Sequence, residues 1–110
     1  MVEVNASTLV KHFNISRSRA KTIMKVISEI SDTEDALEVV SELIGGFGVG
    51  SANVDDDVLY YVDMGDPYST TVMYDDSDFK FIIGTWGDWV ELKEIEKAEE
   101  RKAMGLDEGE

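Results

Sequence analysis

The chain has 110 residues, a mass of 12.3 kDa and a formal charge of −14 from ten basic and 24 acidic side chains. This length builds one domain around a single modest core and excludes a second full domain. Because 43% of the residues are hydrophobic, the acidity does not imply a disordered polyanion. The absence of cysteine excludes disulfides, thiolate nucleophiles and Cys-ligated zinc, and the single histidine, His12, argues against a His-rich metal site or a histidine-based triad.

No feature of the sequence directs the chain to a membrane. No stretch approaches the roughly 20 apolar residues of a membrane span. The first residues, MVEVNAST, have neither the basic nor the apolar region of an export signal. We therefore expect a soluble protein of the cytoplasm that has no contact with membranes.

The charge is segregated along the chain. Residues 1–28 hold five basic and one acidic side chain, whereas residues 29–79 hold 14 acidic side chains and no basic one. Residues 80–110 hold five basic and nine acidic side chains. Segregation of this kind bears on partners and solubility and does not by itself decide the fold.

The basic block predicts two helices over residues 7–30. Asn5 or Ser7 can cap the first helix and Ser16 the second, and Asn14 tolerates the backbone of the turn between them. A step of 100° per residue puts the apolar residues of the second helix on one side. The opposite, basic side carries Arg17, Ser18, Lys21, Thr22 and Lys25.

This block resembles a helix-turn-helix DNA-binding unit. The family's buried positions are filled by Leu9, Phe13, Ile15, Ala20 and Ile23. The segment departs from the pattern at Val10, where a small residue is usual, and at Asn14, where glycine is commonest. The resemblance implies that Arg17, Ser18, Lys21 and Thr22 lie near base edges and that Lys25 lies near phosphate. DNA binding through residues 16–25 is one interpretation; a helical hairpin with a merely solvated polar face is the other.

A third helix is predicted from about Asp32 to Ile44. Ser31 and Glu34 have the spacing of a capping box, and Gly45 and Gly46 end the helix. The apolar residues of this helix should pack on the first two and complete a helical part over residues 1–45. The glycine-rich stretch at 46–50 lacks the lysine of a phosphate loop and predicts a connector that Phe47 and Val49 anchor.

The rest of the chain predicts a small sheet and one more helix. Residues 58–84 alternate in side-chain character, which predicts a three-stranded antiparallel β-meander within residues 46–90, with Trp86 and Trp89 closing the edge of the core. One face of this sheet should lie on the helices. A helix over 91–105 can dock on the sheet or meet a partner, and residues 106–110 should be a frayed tail. The predicted fold is therefore a single α+β domain spanning residues 1–110.

Residues 61–91 carry a second resemblance. The elements Gly-Asp-x-Tyr-x-x-Thr and Trp-Gly-Asp-Trp-Val-Glu are similar to a motif of small uncharacterised proteins from phages and prophages. The matching positions are Asp66, Tyr68, Thr70, Trp86, Asp88 and Trp89. The resemblance implies a phage-type origin and no particular chemistry, and turn formation and core packing are the structural interpretation of the same residues.

The acidic residues suggest a binding function without catalysis, cofactor or metal. Carboxylates from the third helix and from several loops can imitate a phosphate backbone and occupy the basic groove of a host nucleic-acid-processing or defence protein, which the chain would then inhibit. A solubilising surface is the alternative. The residues concerned are Glu34, Asp35, Glu38, Glu42, Asp55, Asp56, Asp57, Asp63, Asp66, Asp75, Asp76 and Asp78.

A remote catalytic alternative is a Mg²⁺-dependent nuclease. Asp66 followed by Asp78-Phe79-Lys80 resembles the signature of restriction-type nucleases. The resemblance implies that Asp66 and Asp78 would supply hard oxygen ligands and that Lys80 would steady the attacking water. The interpretation requires the two carboxylates to meet in the fold.

Overall fold

The computed structural model describes residues 1–103, which form an α+β fold. The helices are α1 (Ala6–Phe13), α2 (Arg17–Glu29), α3 (Thr33–Ile44) and α4 (Trp86–Ala103). The strands are β1 (Val2–Glu3), β2 (Val49–Val54), β3 (Asp57–Val62), β4 (Thr71–Asp75) and β5 (Lys80–Gly84). The end of the predicted helix over 91–105 and the predicted tail over 106–110 lie outside the described residues.

Local capping defines the first two helices as the sequence predicts. Asn5 caps α1: its side chain accepts a hydrogen bond from the Thr8 N–H at 2.9 Å, and the Thr8 hydroxyl accepts one from the Asn5 N–H at 2.9 Å. Asn14 takes the left-handed conformation with φ 53°. Ser16 caps α2 by accepting from the Arg19 N–H at 3.0 Å.

The third helix begins differently from the prediction. The expected capping box of Ser31 and Glu34 is wrong, because Asp32 is the N-cap and its carboxylate accepts from the Asp35 N–H at 3.0 Å. An aspartate caps as well as a serine, and its charge is also favoured by the helix dipole. The predicted end is confirmed, since Gly45 adopts φ 81°, a conformation that glycine reaches without steric cost.

The sheet has five antiparallel strands where three were predicted. Its order is β1-β5-β4-β3-β2, and the predicted meander corresponds to its three central strands. The predicted connector at 46–50 is wrong in part, because β2 begins at Val49 and pairs along its whole length with β3. Glycine, serine, alanine and asparagine give β2 little strand character, and β1 has only two residues.

Helices cover both faces of the sheet. The sequence predicted that the N-terminal helices cover one face and left open whether the C-terminal helix docks on the sheet or meets a partner; α4 docks on the sheet. Side chains alternate along β3 as predicted, with Val62 in the core cluster under α1, α2 and α3, and Leu59 in the cluster under α4. Trp86 and Trp89 do not close an edge, as the sequence suggested. They belong to the first turn of α4, which starts five residues before the predicted position and lays Trp89 on the sheet.

A buried carboxylate joins α4 to the sheet. Asp75, the last residue of β4, is 2% exposed. One of its oxygens accepts from the Trp89 indole N–H at 3.0 Å and lies 3.3 Å from the Lys93 ammonium. The other accepts from the backbone N–H groups of Ser77 at 3.0 Å and Asp78 at 3.3 Å. Asp75 therefore fixes both the turn that follows β4 and the position of α4.

These contacts change the ionisation of both partners. Burial on its own raises the pKa of Asp75, but the indole hydrogen bond and the charge of Lys93 outweigh it and hold the pKa below its ordinary value. Burial likewise lowers the pKa of Lys93, and the facing carboxylates of Asp75, Asp78 and Glu96 reverse this and raise it. Both groups are therefore charged at neutral pH, as a paired buried ion requires.

We expect Asp75→Asn to lower the free energy of unfolding by about 3 kcal/mol, because it leaves the Lys93 ammonium buried without its nearest counter-charge. Urea unfolding followed by circular dichroism measures this change. The matched control is Asp76→Asn, the same substitution at the neighbouring exposed residue, which should change the free energy by less than about 0.5 kcal/mol. Equal effects of the two variants would contradict the role given to Asp75.

The same pair predicts a pH dependence. Because the pKa of Asp75 is lowered on folding, its contribution to stability is complete above the ordinary carboxyl range near pH 4 and is lost as the pH falls through the folded value. Because the pKa of Lys93 is raised, its contribution is complete below about pH 10 and is lost at higher pH. The stability difference between wild type and Asp75→Asn should therefore stay level from about pH 5 to 9 and shrink below about pH 4. A difference that grows in acid would contradict this.

Candidate binding surfaces

The sheet separates the predicted acidic residues into two groups. The two hairpin turns, at 55–56 and 76–79, lie at one end of the strands, which we call the turn end. The connections at 45–48 and 63–70 lie at the other end, which we call the loop end. Strands of five or six residues hold these ends roughly 17–20 Å apart. The carboxylates predicted from the loops therefore do not form one continuous row.

Several carboxylates of the turn end are engaged within the protein. Asp57 accepts from the Ser77 hydroxyl at 2.7 Å and lies 3.6 Å from the Lys97 ammonium. Asp78 lies 3.5 Å from Lys93. Asp75 is buried, so its predicted place on an exposed acidic surface is wrong: a carboxylate that satisfies an indole and an ammonium inside the fold is not free for a partner. Asp55 and Asp56 form the exposed tip of the first hairpin, and Asp76 is exposed beside the second.

The acidic residues of α3 form an exposed row that leads to the loop end. The row consists of Glu34, Asp35, Glu38 and Glu42. At 1.5 Å of rise per residue, carboxylates four residues apart are about 6 Å apart along the helix axis. Glu38 and Glu42 repel one another at this spacing, at a cost of a few tenths of a kcal/mol. Within residues 1–103 no basic side chain forms an ion pair with any member of the row.

Two aspartates organise the long loop at the loop end. Asp63 accepts from the Gly65 N–H at 2.7 Å, and Asp66 accepts from the Tyr68 N–H at 2.8 Å. Each bond uses one carboxylate oxygen and closes a local turn of the type that aspartate favours. Both side chains remain exposed and carry their charge at the surface.

Three aromatic side chains are strongly exposed: Phe47 (77%) and Tyr68 (87%) at the loop end, and Phe79 (78%) in the second hairpin turn at the turn end. Phe47 is held in place because its N–H donates to the Asp63 carbonyl at 2.7 Å. Its ring also lies close to Gly65, where an added Cβ would approach it to 3.2 Å. The sequence predicted that Phe47 anchors the connector, and it did not identify Phe47 as part of an exposed surface. The one sequence signal of that exposure is an aromatic residue placed between glycines, outside any predicted helix or strand.

A cavity of about 200 Å³ opens at the loop end, on the α4 face of the sheet. Tyr61 and Trp86 form one wall, with ring centroids 6.1 Å apart and planes inclined by 22°. Gly50 permits this arrangement, because a Cβ there would lie 2.7 Å from the Tyr61 ring. The polar side chains of the lining are Asp63, Asp66, Ser69 and Thr71.

The basic face predicted for α2 is present as one surface. Arg17, Ser18, Lys21, Thr22 and Lys25 are all exposed and line a single shallow depression. Ala20 and Ile23, on the opposite side of the helix, are fully buried. Arg19 has a different role, since its guanidinium donates to the Leu43 carbonyl at 3.3 Å and ties α2 to the end of α3. Within the described part of the chain, no carboxylate forms an ion pair with Arg17, Lys21 or Lys25.

The residues of the nuclease alternative do not meet. Asp66 belongs to the loop end, and Asp78 with Lys80 belongs to the turn end. Carboxylates separated by the length of β4 cannot ligate one Mg²⁺, whose oxygen ligands lie at about 2.1 Å. Among residues 1–103, moreover, there is no group of three or more His, Asp or Glu side chains placed to hold a metal ion. The predicted constellation of Asp66, Asp78 and Lys80 is therefore wrong.

The search for relatives returned nothing: no family model, no curated protein and no solved structure matches this chain. The two resemblances stated from the sequence thus remain predictions. Over residues 1–103, no helix is both long enough and apolar enough to cross a membrane.

Proposed function

We propose that this protein is a non-enzymatic, phage-type accessory protein that docks the α3 row and the loop end on a basic surface of a host nucleic-acid-processing or defence protein and inhibits it. The supporting observation is that the exposed rings of Phe47 and Tyr68 lie at the same end of the molecule as carboxylates with which no basic side chain of residues 1–103 forms an ion pair. A cytoplasmic location is part of this proposal, because that is where such partners act.

The two kinds of side chain contribute differently to docking. Unpaired carboxylates steer a basic groove toward the surface and raise the rate of encounter. Aromatic side chains buried at the centre of an interface supply most of the binding free energy. A surface that only promotes solubility gains from the carboxylates but not from exposing Phe47 and Tyr68.

The acidic row on α3 is the part of the surface that would imitate the phosphates of a nucleic acid. Glu34, Glu38 and Glu42 repeat negative charge at a regular interval along a rigid rod, which is the property that a phosphate-binding groove recognises. The partner's groove would then be occupied by this protein instead of DNA or RNA, and inhibition follows from competition for one surface.

The reversal Glu38→Lys/Glu42→Lys, combined with Phe47→Ala, should abolish capture of a basic protein from a bacterial lysate. The physical reason is the loss of both steering charge and aromatic anchor. The captured protein is identified by mass spectrometry, and duplex DNA added to the immobilised wild type should release it, because the two compete for one groove.

The control is Asp55→Lys/Asp76→Lys at the turn end, which makes the same change in charge and should preserve capture. Two results would contradict the proposal: capture by the triple variant at Glu38, Glu42 and Phe47, or capture by the wild type that duplex DNA does not displace.

A second candidate function is DNA binding through α2, the helix-turn-helix interpretation of residues 16–25. The observation that favours it is the uncompensated basic face formed by Arg17, Lys21 and Lys25 on a helix whose other side is core. In such units the second helix enters the major groove. The overall charge of −14 does not oppose this, since a local basic surface determines contact with phosphates.

For this second function, Arg17→Glu/Lys21→Glu should weaken binding to duplex DNA by at least tenfold in fluorescence anisotropy, whereas Arg101→Glu/Lys102→Glu, a reversal of equal charge on α4, should not change it. Three phosphate contacts predict a slope of log K against log salt of about −3. No binding by the wild type at low salt would eliminate this candidate.

A further inference from the structure

We propose that the cavity at the loop end is a socket for the guanidinium group of an arginine side chain on the partner protein. This inference rests on the proposed function, because it names the chemical group that the acidic surface receives. It also unites the two elements of the sequence motif at 61–91, since Gly65-Asp66 and Trp86 lie far apart in the sequence and line the same cavity.

The size of the cavity selects a single side chain. Pockets for cofactors and other whole ligands commonly measure about 300–1,000 Å³, and this one measures about 200 Å³. The loop 63–70 and the first turn of α4 contribute its walls, and the exposed Tyr68 ring belongs to the same loop. A residue protruding from a docked partner can therefore enter the cavity while Tyr68 contacts the surrounding surface.

The charges around the cavity select a cation. Asp63 and Asp66 each use one carboxylate oxygen for a turn of their own loop, which leaves the second oxygen of each without a hydrogen-bond partner among the described residues. The lining contains no lysine, arginine or histidine. The N-terminus of α4 contributes a partial positive charge, but Asp88 lies in that first turn and offsets it.

The shape of the wall selects a planar cation. Tyr61 and Trp86 are half-buried and nearly parallel, and both rings line the cavity. A guanidinium packs favourably on aromatic rings and directs its N–H donors in a fixed plane, whereas an ammonium is a compact, strongly hydrated point charge. The Ser69 hydroxyl, which also lines the cavity, adds an acceptor for the donors that the two carboxylates do not take.

The test is a titration of the protein with N-acetyl-arginine amide, observed at the two tryptophan indole N–H signals by ¹H–¹⁵N NMR. The Trp86 signal should move in a saturable way, with a Kd on the order of 1 mM, as expected for about fifteen heavy atoms of ordinary ligand efficiency. The chemical shift of the Trp89 indole should not change, because that indole is buried and its N–H is hydrogen-bonded to Asp75.

Five further measurements make the result specific. Asp63→Asn/Asp66→Asn keeps the side-chain oxygens that close the loop and should weaken binding at least fivefold; Asp55→Asn/Asp76→Asn makes the same charge change at the turn end and should leave Kd unchanged. The amides of lysine and norleucine should move the Trp86 signal much less than the arginine amide. Inorganic phosphate should not move it.

Each contrary result overturns the socket. If the Trp86 signal does not respond to the arginine amide, the cavity does not bind a guanidinium. Equal responses to the three amides would show that the cavity does not select arginine, and a response to phosphate would show that it binds an anion. If the arginine amide has no effect while capture still depends on Glu38, Glu42 and Phe47, the socket fails and the proposed function stands. If the arginine amide binds and no partner is captured, the proposed function fails and the socket stands.

Discussion

The Asp75 carboxylate lies between the sheet and α4, and the placement of both depends on it. Removing a carboxylate from water is costly unless its charge and its lone pairs are matched. Here the indole of Trp89, the ammonium of Lys93 and two backbone N–H groups match it. The same contacts set the direction of α4 across the sheet, and with it the position of Trp86 at the loop end. A buried ion pair at one end of the molecule thus positions a wall of the cavity at the other.

Charge segregation gives the molecule surfaces of opposite sign on different elements. The basic face lies on α2, whereas the acidic residues lie on α3 and in the connections at the loop end. Screening at physiological ionic strength limits their mutual influence to about 8 Å. A net charge of −14 therefore describes neither surface, and the two candidate functions can be tested by separate substitutions.

Antiparallel topology explains why acidic residues that are close in sequence act differently. Each strand reverses the chain, so successive connections come at opposite ends of the sheet. Asp63 and Asp66 therefore come to one end, and Asp75, Asp76 and Asp78 come to the other. Lys93 of α4 pairs with Asp75 and Asp78 of the second group. Asp63 and Asp66 accept backbone hydrogen bonds of their own loop, and no basic side chain among residues 1–103 forms an ion pair with them.

The sequence by itself determined the features that depend on neighbours within four residues: the caps at Asn5 and Ser16, the reversal at Asn14, the alternation along β3 and the basic face of α2. It also determined the α+β class. Only the tertiary structure decided that β2 pairs with β3, that α4 covers a second face, that Asp75 is buried and that Asp66 and Asp78 are apart. The reason is that these features depend on contacts between residues distant in the sequence, such as the hydrogen bond between Asp75 and Trp89, fourteen positions later. Neither periodicity nor composition indicates which distant polar groups pair with each other.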